Sequence, residues 1–408
     1  MLAKYAAVFR EDLAAGGLTT NTAEPVKIKI GGSLPRKVTE RKYSPSEQQT
    51  IKEFVTKMEA AGMIERVEGQ VNHAAPLVCV TKNNKTRVVV DFRALNKATI
   101  RDLCHNPRAE ETISALYGKK YFSSFDLTSG FYQMKVSEES RRLTAFITPE
   151  GIFQWRVLPM GLLNSPSAFN KWLEVALKGL DILRYVDDVF IGSDTMEEHL
   201  ATLEKFFSQC LKHGILLKPS KAKILCPNLY VLGYIVSDKG VRPDPKKTEA
   251  IEKMAAPRSK KETRTFLGMC GFYRRFIESM SIISKPLFDL VAQKKFVWGA
   301  VEQLAFDQIK AKLCSGSVML AFPDPKKPYY LHVDASMAGL GAVLMQVDGS
   351  EDGPATPGVI EYYSRSLSPA EQNYGISELE ALAVVSAIER WHSYLCGQDF
   401  TVLSDHKP

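Results

Sequence analysis

Tyr185-Val186-Asp187-Asp188 is the stretch on which the reading of this chain turns. It lies between the apolar runs Ile182 to Val186 and Val189 to Ile191, a pattern that predicts a β-hairpin with two adjacent acids at its tip. Two anions about 4 Å apart repel by roughly 4 kcal/mol at an effective dielectric near 20, so a third acid beside them is tolerable only with cations between the carboxylates. Upstream, Tyr121-Phe122-Ser123-Ser124-Phe125-Asp126-Leu127 is an aromatic, strand-like run that ends on an acid, and Asp126 is the candidate third carboxylate. Taken alone, the tetrapeptide reads equally well as a plain turn, because Asp is an ordinary turn residue. Its surroundings add to it. Between the two acidic stretches come Leu158-Pro159-Met160-Gly161-Leu162 and then Asn164-Ser165-Pro166, which opens a helix predicted from about Ser167 to Leu177.

The chain has 408 residues, 45% of them hydrophobic and 10% aromatic, enough for two or more packed domains and too apolar for a disordered chain. No apolar run approaches the roughly 20 residues that span a bilayer, so neither membrane insertion nor secretion is expected. Seven widely spaced cysteines, none paired at zinc-ligand spacing, read as reduced thiols of an intracellular protein. The net charge of +7 is unevenly placed: Lys218 to Lys295 holds 17 Lys and Arg against 7 Asp and Glu, leaving the rest of the chain net negative. Basic and aromatic residues interleave there, which favours a track for a polyanion over a merely solvated face.

Residues 1 to about 43 are weakly patterned and broken by Gly16-Gly17 and Gly31-Gly32. Ser44-Pro45-Ser46-Glu47 is a capping box for a helix whose face is Ile51, Phe54, Val55 and Met58. Pro76 to Val80 and Thr86 to Val90 predict a strand pair, Met196 to His213 a helix stopped by Gly214, and Ser259 with Glu262 a second capping box for a helix through Ile277. Along that last helix Phe266, Leu267, Cys270, Tyr273, Phe276 and Ile277 read as core, with Arg264, Arg274 and Arg275 beside them as candidate phosphate contacts.

Taken in order, the strand with its acid, the Pro/Gly loop entering a helix and the two-acid hairpin resemble the palm of a reverse transcriptase. With Arg87 to Lys97, Leu232 to Val236, Phe266 to Ile277 and Val333-Asp334-Ala335-Ser336, the chain resembles the polymerase and ribonuclease H region of gypsy-class long-terminal-repeat retrotransposons from about Leu2 to its last residue. The resemblance implies an α+β fold: a right-hand polymerase of fingers, palm and thumb followed by a partial ribonuclease-H-like α/β domain. Its expected divisions are a connector over 1–43, fingers and palm over 44–240, thumb or connection over 241–328 and the ribonuclease-H-like part over 329–408. It implies an RNA-directed DNA polymerase with RNA template, DNA primer, RNA-DNA hybrid and deoxynucleoside triphosphates as partners. Its address is expected to be a cytoplasmic particle, with the nucleus as alternative. Asp126, Asp187 and Asp188 are the expected ligands of two Mg2+ ions, a carboxylate set that suits a hard cation. By the same resemblance Phe131 gates the nucleotide sugar, Arg87 and Lys82 hold the triphosphate, and Leu232 with Gly233 grip the primer. Met160 and Cys104-His105-Asn106-Pro107-Arg108 depart from the family pattern.

For the ribonuclease-H-like part, strands are expected over Tyr329 to Asp334, Ala342 to Gln346, Gly358 to Ser364 and Phe400 to Leu403, with a helix from Glu378 to Leu395. The family's metal-binding acids map onto Asp334, Glu378 and Asp405. Glu380 competes with Glu378, but with Ser377 as N-cap it falls at the third helical position, where a capping box accounts for it. The family continues beyond the position of Pro408 with a further ligand, so the expectation is a truncated nuclease site. The rival reading from another class is a nucleic-acid-binding remnant that retains a basic groove without turnover, and a third is chiefly a nuclease.

Overall fold

The strand Tyr121–Asp126 buries Phe122, Ser123 and Phe125 on both of its faces, which places it inside a sheet. In the structure, a computed structural model that describes residues 1–14, 21–34, 41–82, 85–103, 109–315, 318–348 and 356–404, this strand is central to a four-stranded antiparallel sheet. Asp188–Ser193 pairs on one side of it, with Leu183–Tyr185 beyond, and Lys223–Cys226 pairs on the other. The helices Ser165–Ala176 and Met196–His213 supply the packing partners: Phe125 meets the rings of Phe206 and Phe207 at centroid distances of 5.1 and 5.4 Å. Thr195 caps the second helix through the amide of Glu198, and Gly214 ends it at φ 68°.

A second sheet of the same unit has five strands, ordered Ile64–Arg66, Gly151–Trp155, Phe146–Thr148, Ala75–Lys82 and Lys85–Val90. Ser44 and Glu47 form the expected capping box on the helix Pro45–Ala60, which buries Ile51 and Val55. The core runs continuously from Ile51 through Trp155 and Phe169 to Leu217. The N-terminal segment is part of it. Leu2–Val8 forms a 3-10 helix that buries Tyr5 and Val8, Leu13 is buried further on, and Phe9 packs edge-on against Phe207.

The chain divides into two compact units, residues 1–115 with 120–226, and residues 116–119 with 227–408. The division at 226/227 precedes the expected thumb boundary at 240/241. Within the second unit the hairpin Asn228–Val231 and Tyr234–Ser237 is joined by Gly240–Pro243, followed by helices Pro245–Glu252, Lys260–Phe272, Met280–Ala292 and Ala300–Cys314. The helix expected to run through Ile277 stops at Phe272, and a separate 3-10 turn covers Arg274–Phe276. The four-stranded sheet of this unit is ordered Thr356–Arg365, Gly339–Asp348, Tyr329–Ser336 and Phe400–Leu403, the last pair parallel, and the helix Ile376–Arg390 covers it. Among the described residues no helix is long and apolar enough to cross a membrane. Cys79, Cys210, Cys226, Cys270, Cys314 and Cys396 are free thiols.

Val241 and Leu320 exchange backbone hydrogen bonds of 2.9 and 2.8 Å, and Ala321 donates to the carbonyl of Val359, so the three-stranded and four-stranded sheets of this unit are stitched through one extended segment. Gly240 stands beside that stitch at φ +148°, and a Cβ there would collide with the carbonyl of Leu320 and lie 3.0 Å from Met319 Cγ. Gly240→Ala is therefore expected to destabilise the second unit by about 2 kcal/mol or more. Urea unfolding followed by Trp fluorescence checks this, and a midpoint equal to wild type would contradict it.

Candidate active site

Asp126 and Asp188 are direct cross-strand partners at the end of the first unit's sheet, and Asp187 precedes Asp188 in the turn that joins the two short strands. Three contacts fix them. The amide of Leu127 donates to the carbonyl of Asp187 at 3.0 Å, that of Lys218 donates to the carbonyl of Asp126 at 2.8 Å, and Val186 holds the turn at φ 54°. A β-branched residue in the left-handed region is strained by about 1–3 kcal/mol. The strain is borne at the position that presents both acids.

Burial pushes the Asp187 carboxyl up to about 6, with the charges of Asp126 and then Asp188 adding to it, and Lys221 opposing. Asp188 is raised by burial and by Asp126. Asp187 Oδ1 is buried without a hydrogen-bond partner and faces Gly130, where a Cβ would come within 2.7 Å of it. Among the described residues no three His, Cys, Asp or Glu side chains converge as a ready cation cage. Asp126 instead directs Oδ2 to Lys221 Nζ, 2.6 Å away, with 21% of the Asp126 side chain and 57% of the Lys221 side chain exposed. An unpartnered buried carboxylate oxygen and mutually repelling acids fit a hard divalent cation, which would remove both penalties.

Phe131 lies in the 3-10 turn Gly130–Gln133, its ring half-buried and edge-on to Phe169 at 5.3 Å. That turn is held by Gln133, a residue the motif reading did not single out. Its amide donates to the carbonyls of Thr128 (3.0 Å) and Leu216 (2.9 Å) and accepts from the amide of Leu216 (2.9 Å). Lys82 and Arg87 sit exposed on the two strands of the hairpin Ala75–Lys82 and Lys85–Val90, where Arg87 opposes Val80. Lys221 was likewise missed. Three lysines in six residues, Lys218, Lys221 and Lys223, were a visible signal, but they were counted into a basic track instead of being aimed at the acids.

In the second unit Leu232 (φ 50°) and Gly233 (φ 90°) form the tight turn of the hairpin. The Gly233 carbonyl accepts from the Asp244 amide and from the Tyr273 hydroxyl, both at 3.0 Å, so the turn is docked on the helix end beside it. Two candidate phosphate contacts are otherwise engaged. Arg274 donates to the carbonyl of Ser364 at 2.7 Å, and Arg275 is largely withdrawn from solvent beside Tyr117, Glu361 and Tyr394. Arg264 remains exposed.

The expected N-cap of the helix that carries Glu378 is corrected. The helix starts at Ile376 with Gly375, not Ser377, as N-cap, so Glu378 is the third helical residue and accepts from the Gly375 amide at 2.7 Å. Glu380 is 7% exposed, accepts from the amide of Ala335 at 3.3 Å and from the Ser404 hydroxyl at 3.2 Å. Its carboxylate thus lies between the neighbours of Asp334 and Asp405. Asp334 is exposed on the strand Tyr329–Ser336, and Asp405 lies outside the described residues, as does Cys104 to Arg108.

Acids gathered at one end of a central antiparallel strand pair, with an aromatic turn beside Asp187, give this unit the layout of a right-hand palm. Residues 80–270 match the family described as reverse transcriptase (RNA-dependent DNA polymerase), and residues 298–402 match that described as an RNase H-like domain found in reverse transcriptase. The chain belongs to the reverse transcriptase and RNase H region of long-terminal-repeat retrotransposon Pol polyproteins. The second match starts at Trp298, ahead of the expected boundary at 328/329, and takes in the helix Ala300–Cys314. The chain is 32% identical to the retrovirus-related Pol polyprotein from transposon opus of Drosophila melanogaster, over 100% of this chain and 42% of that protein. It is 31% identical to the enzymatic polyprotein of cauliflower mosaic virus (strain D/H), over 94% of this chain and 58% of that one. It therefore spans 42% to 58% of the length of these relatives. The foamy viral protease-reverse transcriptase solved with double-stranded DNA shares the fold at a TM-score of 0.87 and 24% identity, over 100% of this chain and 84% of that one.

The electrostatics predict how metal-free protein responds to pH. With its folded pKa raised to about 6, Asp187 favours the protonated form. Its stabilising share is complete below about pH 4, the unfolded value, and is lost as pH rises through 6. Without divalent ions Asp187→Asn is expected to be more stable than wild type at pH 7.5 by on the order of 1 kcal/mol, after allowing for solvent screening at this partly exposed site. The gap should close toward pH 4. Parallel Tm profiles for the two proteins between pH 4 and 7.5 would refute this.

Proposed function

We propose that the chain copies RNA into DNA, extending a DNA primer on an RNA template with deoxynucleoside triphosphates. The observation that carries this is the placement of Asp126, Asp187 and Asp188 at one sheet end, with a buried Asp187 oxygen lacking any partner. These three would hold two Mg2+ ions, which when bound stabilise the attacking and leaving oxygens of nucleotidyl transfer. Phe131, seated on Phe169 and held by the Gln133 turn, is placed in this reading to exclude a 2′-hydroxyl. Arg87 and Lys82 are free to meet an anionic triphosphate, and the Leu232-Gly233 turn to hold the primer backbone. Residues 44–240 then serve as fingers and palm, 241–328 as thumb or connection, and 1–43 as more than a connector, since its first residues join the core. The family's life cycle places the reaction in a cytoplasmic particle, with the nucleus as alternative.

For the ribonuclease-H-like part of the second unit we propose Asp334, Glu380 and Asp405 as the acids for cutting RNA in an RNA-DNA hybrid, Glu380 taking the role first expected of Glu378. Support comes from the buried Glu380 carboxylate, bonded to the residue after Asp334 and the residue before Asp405.

Primer extension with Mg2+ tests the first reading: Asp187→Asn should lower turnover by on the order of 100-fold or more. Hybrid binding by folded wild type with no extension would instead establish the inactive, nucleic-acid-binding alternative. On a labelled hybrid, Glu380→Gln should abolish any RNA cleavage. Glu378→Gln should leave cleavage within about twofold and lower stability by roughly 0.5–1 kcal/mol, the worth of a cap contact. The reverse ranking of the two variants would restore Glu378.

A further inference from the structure

The N-terminal segment lies outside residues 80–270, yet it reaches the acid site through two layers of backbone. Leu217 donates its amide to the carbonyl of Val8 at 2.8 Å, and Arg10 donates to the carbonyl of Leu217 at 2.9 Å. The next residue, Lys218, donates to the carbonyl of Asp126, and Thr128 donates its hydroxyl to the carbonyl of Arg10 at 2.7 Å. Just beyond, Glu11 reaches over the 3-10 turn Pro219–Lys221. Its Oε1 accepts from the Ser220 hydroxyl at 2.6 Å and lies 3.5 Å from Lys218 Nζ, while its Oε2 accepts from the Ser220 amide at 3.2 Å. The residue after Ser220 is Lys221, whose ammonium sits on Asp126.

We propose that Glu11 is a positioning residue of the polymerase site: by clamping Ser220 it fixes the turn that sets Lys221 on Asp126. A half-exposed ammonium on a flexible four-carbon stem gains little from one carboxylate, because pairing costs rotamer freedom. Anchoring the backbone from which that stem springs lowers the cost, and Pro219 restricts the turn further. Glu11 can serve as anchor because Val8 and Leu13 on either side of it are buried. The consequence for turnover rests on the polymerase reading above, whereas the clamp does not.

The test has two arms. Folded, metal-free protein is acetylated with an N-hydroxysuccinimide ester and each lysine is quantified by mass spectrometry. Lys171, an equally exposed lysine 2.6 Å from Asp102, serves as internal reference. Glu11→Ala and Ser220→Ala should each raise the Lys221 to Lys171 ratio about threefold, the scale of one weak ion pair. Glu11→Gln, which keeps an oxygen for Ser220, should raise it by less than half as much. In primer extension Glu11→Ala should lower kcat about threefold in wild type and have no added effect in a Lys221→Met background, the signature of coupled positions. Unchanged Lys221 reactivity in both alanine variants, or an equal loss of kcat in the Lys221→Met background, would overturn the proposal. If wild type extends no primer, the polymerase reading fails while the labelling arm still decides the clamp.

Discussion

Repulsion between carboxylates is the constraint around which the first unit is built. Asp126 and Asp188 face each other across paired strands, and Asp187 adds a third charge one residue away. An isolated sheet end would relieve this by fraying or by turning one acid to solvent. Here neither is open: the backbone at Asp126 is pinned from Lys218, that at Asp187 from Leu127, and the core beneath is filled by Phe125, Phe206 and Phe207. The repulsion is met by cations instead, Lys221 in the protein alone and divalent ions in the proposed working state. That the Asp187 carboxyl is pushed above the ordinary aspartate range follows from the same geometry.

The second unit solves a related problem differently. Glu380 is buried but bonded through both oxygens, to a backbone amide and a hydroxyl, so its carboxylate is oriented before any metal arrives. Arg274 donates to the carbonyl of Ser364 and Arg275 lies in the field of Glu361, which Arg390 pairs, so part of the basic segment is spent inside this unit. A positive stretch of sequence is thus a poor map of a polyanion surface. Arg264 and Arg274 both face solvent, but Arg274 is held by the carbonyl of Ser364, and Arg275 is only partly exposed.

What the sequence made legible followed from short-range rules. The hairpin acids, the Ser44-Glu47 box and the helix ending at Gly214 each declare themselves within a few residues, and the structure has all three. The start of the helix that carries Glu378 is less legible, because serine is a better N-cap than glycine in general, while here Gly375, two residues before Ser377, takes that place. A helical count would have found the alternative: Glu380, Ala383 and Ala387 share one buried stripe and Glu378 is off it. Tyr5, Val8 and Leu13 escaped notice for the opposite reason. Tyr5 and Val8 stand one helical turn apart, but seven residues of 3-10 helix are too short to declare themselves, and what packs on them, Phe207 and Leu217, lies about two hundred positions away. Lys221 and Glu11 belong to the same class, since no local pattern aims a lysine at a distant acid.

That long reach has a consequence for how the molecule is made. Glu11 meets Ser220 across a separation of 209 residues, so a chain growing from a ribosome presents residues 5–13 long before their partners exist. Tyr5, Val8 and Leu13 must wait, exposed, until the strand and helix that receive them have been synthesised and collapsed, a contact of high sequence separation and correspondingly slow closure. The outermost ply of the acid site is then translated well ahead of the strand and helix it joins and is among the last segments to dock. Until it does, the sheet end carries its carboxylates without the anchored lysine, which gives cotranslational folding and site assembly a shared final step.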